Sequence, residues 1–326
     1  MTQAVLVIHG GAGAISRAKA TPAVIHEYES ALRATLERGS AILADGGSAL
    51  DAVAEAVRLL EECALFNAGH GAVFTSDGRH ELDAAIMDGK TLRSGAVANV
   101  TTLRNPVLAA RAVMECSPHA LLAGPGADAF GRDAGLECVQ PSFFSTEARR
   151  SQLLRVQATG EETIVLDHDG QSLTEDAAAT APLDEGRKLG TVGAVALDLH
   201  GNLAAATSTG GLTNKRPGRI GDTPLIGAGC YANNATCAVS ATGTGEAFIR
   251  LVAAYDVSAR IEYQRRSLDE AAGCVVFDKL PAIGGAGGLI AIDAAGNISM
   301  PFNTEGMYRG YQRLGQAACV AIHRGQ

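Results

Sequence analysis

Two short stretches beyond mid-chain carry one turn pattern: Ala196-Leu197-Asp198-Leu199-His200-Gly201-Asn202 and Ala291-Ile292-Asp293-Ala294-Ala295-Gly296-Asn297. Each lies between two runs rich in small residues, so each reads as a β-hairpin. The Asp-x-x-Gly-Asn spacing is a common hairpin signal, and we read it as shared turn chemistry rather than ancestral duplication. Between the hairpins lie two stretches of helical character, about 244–259 and 267–277. Strands grouped in hairpins with helices grouped between them predict mainly antiparallel sheets covered by helices, not a parallel Rossmann-type sheet.

The first half alternates its elements. Residues 5–8 form a short apolar strand ending in the His9-Gly10-Gly11 turn. A long helix spans about 22–44 and stops at Asp45-Gly46-Gly47. Ser48 starts the next helix with Asp51 three residues on, a capping-box variant. Its apolar positions Ala49, Val53, Ala56, Val57 and Leu60 recur at helical spacing. Strands are predicted at about 71–74, 82–87 and 95–100, and helices at about 106–115 and 124–134. The stretch from about 144 to 190 is the least regular and reads as a flexible linker.

Composition narrows the class. At 326 residues the chain can bury a sizeable core as one large or two ordinary domains, and 47% hydrophobic with 19% charged residues describes a globular protein. A formal net charge of −8 without a basic stripe argues against nucleic acid as a partner. The first residues carry neither a signal-peptide pattern nor a membrane span, so no membrane association and a cytoplasmic address are expected. The seven cysteines are scattered without a CxxC pair and read as reduced thiols. The eight histidines show no zinc-ligand spacing, and no cofactor is expected from them.

The chemistry centres on Lys188-Leu189-Gly190-Thr191-Val192-Gly193, a joint between a polar, acidic run and a buried apolar strand. Alone, Gly190-Thr191 is an ordinary strand start. Downstream, however, lie Thr207-Ser208-Thr209-Gly210-Gly211, then Arg216-Pro217-Gly218-Arg219-Ile220-Gly221-Asp222, then Ala241-Thr242-Gly243-Thr244-Gly245-Glu246. These supply a candidate nucleophile, further hydroxyls, a cation for a carboxylate, an anion for an ammonium, and glycine-freed N–H groups for an oxyanion. The set suits an amino-acid amide. Arg219 and Asp222 could instead form a surface ion pair. The Thr242–Glu246 run lacks the lysine and spacing of a phosphate loop, and no Gly-x-Ser-x-Gly elbow accompanies His9, which reads as structural.

At these residues the chain resembles the plant-type asparaginase and isoaspartyl peptidase family of N-terminal-nucleophile hydrolases. The resemblance extends to His9-Gly10-Gly11-Ala12-Gly13, Leu65-Phe66-Asn67-Ala68-Gly69-His70-Gly71, Glu81-Leu82-Asp83-Ala84-Ala85-Ile86-Met87-Asp88-Gly89 and Asn303-Thr304-Glu305-Gly306-Met307. It implies an α+β fold, a four-layer αββα sandwich, as a single domain over 1–326. It also implies self-cleavage between Gly190 and Thr191 into fragments 1–190 and 191–326, and pairing of two cleaved protomers into a dimer.

Carried over by resemblance, Thr191 is the nucleophile, Thr209 the hydroxyl bonded to it, and Thr242 and Gly243 the oxyanion hole. Arg219 and Asp222 bind the substrate's α-carboxylate and α-ammonium, and Asn67 borders the hole. Leu60, Glu61, Cys63, Phe66, Ala68 and His70 resemble a loop that holds a structural sodium through main-chain carbonyls. The expected activity is hydrolysis of isoaspartyl dipeptides and L-asparagine. A glycosylasparaginase-like hydrolase and an uncleaved, non-catalytic binding protein are the alternatives. A threonine hydroxyl needs a base, and a freed Thr191 α-amine, with an ordinary pKa of about 7.7–8.0, would provide one.

Overall fold

The computed structural model describes residues 3–13, 21–159 and 188–325. Residues 160–187, the greater part of the expected linker, lie outside the described residues. The strands in chain order are β1 (Val5–Gly13), β2 (Leu82–Asp88), β3 (Ser94–Val100), β4 (Leu121–Ala123), β5 (Lys188–Leu189), β6 (Val192–Leu197) and β7 (Leu203–Thr209), followed by β8 (Cys230–Ala232), β9 (Cys237–Gly243), β10 (Gly287–Asp293), β11 (Ile298–Ser299), β12 (Gly306–Arg313) and β13 (Cys319–His323). The helices are α1 (Pro22–Ala44), α2 (Ala49–Glu61), α3 (Pro106–Cys116), α4 (Gly124–Asp133), α5 (Glu147–Thr159), α6 (Gly245–Leu251), α7 (Ala253–Gln264), α8 (Leu268–Gly273) and α9 (Leu280–Ala282). The fold is mixed α+β.

The large sheet runs β13-β12-β1-β6-β7-β2-β3-β4, with β5 pairing the end of β1, and the smaller runs β11-β10-β9-β8. Among the described strands only β3 and β4 pair in parallel. Side chains alternate across each strand, which separates three apolar interiors. Leu6, Ile8, Ala194 and Ala206 pack with Leu32, Val53, Val57 and Val107 of α1, α2 and α3. Val5, Val7, Val195 and Ala205 point the other way, against Ala238, Ile290 and Ile292 of the smaller sheet. Val239, Ala241, Leu289 and Ala291 then meet Phe248, Val257 and Val275 on the far side.

Local sequence sets these elements. Thr21 caps α1, its Oγ1 accepting the Val24 N–H, with Pro22 in the first turn. Ser48 caps α2, accepting the Asp51 N–H at 3.1 Å and donating to Asp51 Oδ2 at 2.6 Å. The two hairpin turns close alike. Asp198 Oδ1 accepts the N–H groups of His200 and Asn202, and Asp293 Oδ1 those of Ala295 and Asn297, each at 2.9 Å.

Five expectations are corrected. Residues 144–159 are not linker: α5 occupies 147–159, burying Arg149, Gln152, Leu153 and Val156. The expected strand at 71–74 is a loop, held by Asn67 Oδ1 on the Val73 N–H and by Arg149 Nε on Gly71 O. β1 does not end at His9 but continues to Gly13 through an irregularity between His9 and Ala12. The helix expected over 244–259 breaks at Val252, which is left-handed with φ 48°, because Ala254 and Tyr255 donate to Ala228 O and Gly227 O. The helix expected over 267–277 is α8 followed by a π-helical turn at Cys274–Lys279.

Candidate active site

Two runs of pairing along β1 bracket the Gly190-Thr191 joint. β5 pairs at Ala12 and Gly13, whereas β6 pairs from His9 back to Val5. The joint therefore spans the interruption opposite Gly10 and Gly11, where the ladder is irregular. Thr191 is buried, and its Oγ1 donates to Thr209 Oγ1 at 3.2 Å. Thr209, at the end of β7, is held in turn because its Oγ1 accepts the Gly211 N–H at 3.0 Å.

The Gly190 carbonyl is also held. Its oxygen accepts the Asn67 backbone N–H at 3.2 Å. Asn67 is fixed by three bonds: Nδ2 to Gly211 O at 2.7 Å, Oδ1 from the Val73 N–H at 2.9 Å, and its own carbonyl from the Gly210 N–H at 3.0 Å. Its side-chain polar atoms are thus engaged in holding two loops together. A Cβ on Gly190 would lie 2.4 Å from Asn67 Cβ, so only glycine permits this approach.

Gly190, Thr191, Thr209, Arg219, Asp222 and Gly243 share one small cleft. Arg219 and Asp222 do not pair with each other there. Arg219 Nε and Nη2 instead form a two-pronged bond with the Glu246 carboxylate, both at 3.0 Å. Glu246 stood in the sequence without a role, because only the fold brings the start of α6 beside the 216–222 loop. Asp222 is buried, its Oδ2 has no partner among the described residues, and burial pushes its carboxyl up to about 7, against the pull of Arg219. An ammonium placed there would offset the desolvation of this carboxylate.

Thr242 lies just behind, fully buried, with an Oγ1 that has no partner among the described residues. Beside it, Gly243 pairs with Gly287, and a Cβ there would lie 2.5 Å from the Phe248 ring. On the other flank, Glu81 carboxylate accepts the Gly218 N–H at 2.8 Å, while Lys215 Nζ donates to Glu81 O at 2.7 Å. Burial lowers Lys215 and raises Asp83, which accepts the Asn99 N–H. These groups fix the loop that carries Arg219 and Asp222.

His9 is far from Thr191 in sequence but close in space, opposite Gly193 in the ladder. Its Nε2 shares a 2.9 Å hydrogen bond with Ser240 Oγ, and burial drives its pKa down to about 3 despite the Thr191 backbone. An imidazole this weakly basic is a poor base for a hydroxyl at neutral pH. A base generated at Thr191 itself remains the better candidate.

The segment 60–70 curls back on itself. Glu61 O accepts the His70 N–H at 2.7 Å, and His70 Nδ1 bonds Phe143 O at 2.6 Å. Carbonyl oxygens crowd the two glycines: a Cβ on Gly69 would lie 2.4 Å from Glu61 O, and one on Gly71 2.6 and 2.8 Å from the Ala64 and Phe66 oxygens. This cradle of main-chain oxygens fits a hard monovalent cation in kind. Among the described residues no group of three or more His, Cys, Asp or Glu could hold a metal, and no helix is long and apolar enough to cross a membrane.

Known proteins are similar to this chain over most of its length. A family model described as asparaginase matches residues 2–322. The isoaspartyl peptidase of Escherichia coli (strain K12) is 60% identical, with 99% of this chain and 97% of the relative covered. That of Salmonella typhimurium is 58% identical, covering 99% and 100%. The isoaspartyl peptidase/L-asparaginase of Xenopus laevis is 40% identical over 93% and 90% of the two chains. With its threonine, arginine and aspartate gathered in one cleft and the family model matched from end to end, this chain belongs to the asparaginase family.

Proposed function

We propose that the chain is a self-cleaving amidohydrolase that hydrolyses β-aspartyl bonds, in isoaspartyl dipeptides and in L-asparagine, releasing L-aspartate. The observation that carries this reading is the geometry at one joint. Thr191 Oγ1 is bonded to Thr209 while the preceding carbonyl accepts the Asn67 N–H, and both face a cleft that holds Arg219 and Asp222. The names of the relatives support the substrate class.

In the uncut chain Thr191 Oγ attacks the Gly190 carbonyl carbon, and the Asn67 N–H stabilises the oxygen that becomes negative. Collapse breaks the C–N bond as the hydroxyl proton passes to the departing nitrogen, leaving an ester at Thr191 Oγ and a free α-amine. Water hydrolyses the ester, giving fragments 1–190 and 191–326. The amine is now the base that takes the hydroxyl proton and later returns it to the leaving amine. In the substrate reaction Arg219 binds the α-carboxylate, Asp222 the α-ammonium, and Thr242 and Gly243 the oxyanion. Isoaspartyl peptides and asparagine present the same groups to Arg219 and Asp222 and differ beyond the scissile amide.

The stacked helices, two sheets and helices support reading the fold as the αββα sandwich of N-terminal-nucleophile hydrolases. The carbonyl cradle supports a structural sodium held by the 60–70 loop, where it would fix the loop that carries Asn67. Seven free cysteines support a reducing, cytoplasmic setting. Pairing of two cleaved protomers belongs to the same reading and rests on the family resemblance. Steady-state assays with β-Asp-Leu, asparagine and a glycosylated asparagine test the activity. Turnover of the first two is expected, and turnover of the glycosylated substrate alone would overturn the assignment in favour of glycosylasparaginase chemistry.

A further inference from the structure

The motif Asn303-Thr304-Glu305-Gly306-Met307 places no group in the cleft, yet Asn303 is joined to the strand end that carries Gly243. Its backbone N–H donates to Gly287 O at 2.9 Å, and its Oδ1 accepts the Gly287 N–H at 2.8 Å. Its Nδ2 donates to Val276 O at 3.1 Å and to Gly285 O at 3.3 Å. One side chain thus ties the π-helical turn to both ends of the 285–287 segment.

That segment is fastened to the end of β9. Gly287 pairs with Gly243, and Ala286 O accepts the Thr244 N–H at 2.8 Å. Thr244 Oγ1 bonds both Ala286 O and Ala286 N–H, each at 3.2 Å. The strands approach so closely that a Cβ on Gly287 would lie 2.2 Å from Thr242 O and 2.6 Å from Gly243 Cα. With backbone against backbone, a displacement of Gly287 passes to Thr242 and Gly243 rather than into flexible side chains.

We infer that Asn303 is a positioning residue for the oxyanion hole: through Gly285–Gly287 it holds the Gly243 backbone where the developing negative oxygen is received. The inference rests on the amidohydrolase reading above. Hydrogen bonds to an oxyanion act in the transition state, so a displaced donor lowers kcat and leaves KM nearly unchanged. Ground-state binding resides on the 216–222 loop, anchored by Glu81 at Gly218 as well as by Glu246 at Arg219. Self-cleavage draws on a different donor, because the Gly190 carbonyl accepts from Asn67.

Asn303→Asp tests this. The carboxylate still accepts from Gly287 but cannot donate to Val276 and Gly285. Removal of an oxyanion donor costs about 10²–10³ in kcat, so its displacement is expected to cost about tenfold or more, with KM for β-Asp-Leu within about twofold and an unchanged rate of Gly190–Thr191 cleavage. If that variant does not fold, Asn303→Ser carries the same test without the added charge. Retention of kcat within about twofold would overturn the inference, as would a joint fall of kcat, cleavage rate and Tm, the mark of a purely structural side chain. A wild-type chain inert toward β-Asp-Leu and asparagine would instead overturn the underlying function.

Discussion

Gly190→Ala places a methyl group against the residue whose N–H holds the scissile carbonyl. The new Cβ would lie 2.4 Å from Asn67 Cβ, where ordinary contacts begin at 3.4 Å, so the two segments must part by about 1 Å. The Gly190 O to Asn67 N bond, already 3.2 Å, cannot survive that shift. Asn67 cannot retreat freely either, because its side chain is bonded to Gly211 and Val73. Loss of one oxyanion donor is worth about 2.7–4 kcal/mol, which corresponds to self-cleavage slower by about 10²–10³. The assay is a time course on SDS gels from freshly purified uncut chain, with the fragments identified by intact mass. Cleavage of Gly190→Ala at the wild-type rate would refute the role of Asn67 as the donor.

Thr242→Ala should lower kcat for β-Asp-Leu by about 10²–10³ with little change in KM, checked by steady-state kinetics, since its hydroxyl, without a partner among the described residues, is assigned to the transition state. kcat/KM should rise with pH through about 7, because the raised Asp222 carboxyl must ionise before it can bind an ammonium; a profile flat from pH 5 to 9, taken over about that range, would oppose this. Burial raises Glu61 to about 8, so the folded chain retains a proton that the unfolded chain releases in the ordinary carboxylate range. The associated stability is complete below the unfolded pKa and is lost as pH rises through about 8. Glu61→Gln should therefore gain Tm relative to wild type as pH is raised, measured by thermal denaturation across that interval.

What the sequence disclosed follows from how local each cause is. The Asp198 and Asp293 turns close on their own side chains within five residues, and α2 is capped by Ser48 and carries an apolar stripe, so all three are legible. α5 was hidden because two of the four positions it buries at helical spacing are Arg149 and Gln152, whose partners lie partly on a distant loop. The break at Val252 has no glycine or proline to announce it and is set by bonds to Gly227 and Ala228. In the cleft, Thr191, Thr209, Arg219, Asp222 and Gly243 were legible as motifs and the fold brings them together. The Glu246 clamp on Arg219, the Asn67 backbone donor and the burial of His9 beside Thr191 were not legible, because each joins segments far apart in the chain.

The central claim is that Thr191 lacks its base until its own peptide bond is cut. The most direct test follows β-Asp-Leu hydrolysis and the fraction of Thr191-initiated fragment together, from uncut chain to full cleavage. The account predicts that activity rises in proportion to the cleaved fraction and extrapolates to zero for uncut protein. Uncut chain with the same specific activity as the cleaved form would contradict it.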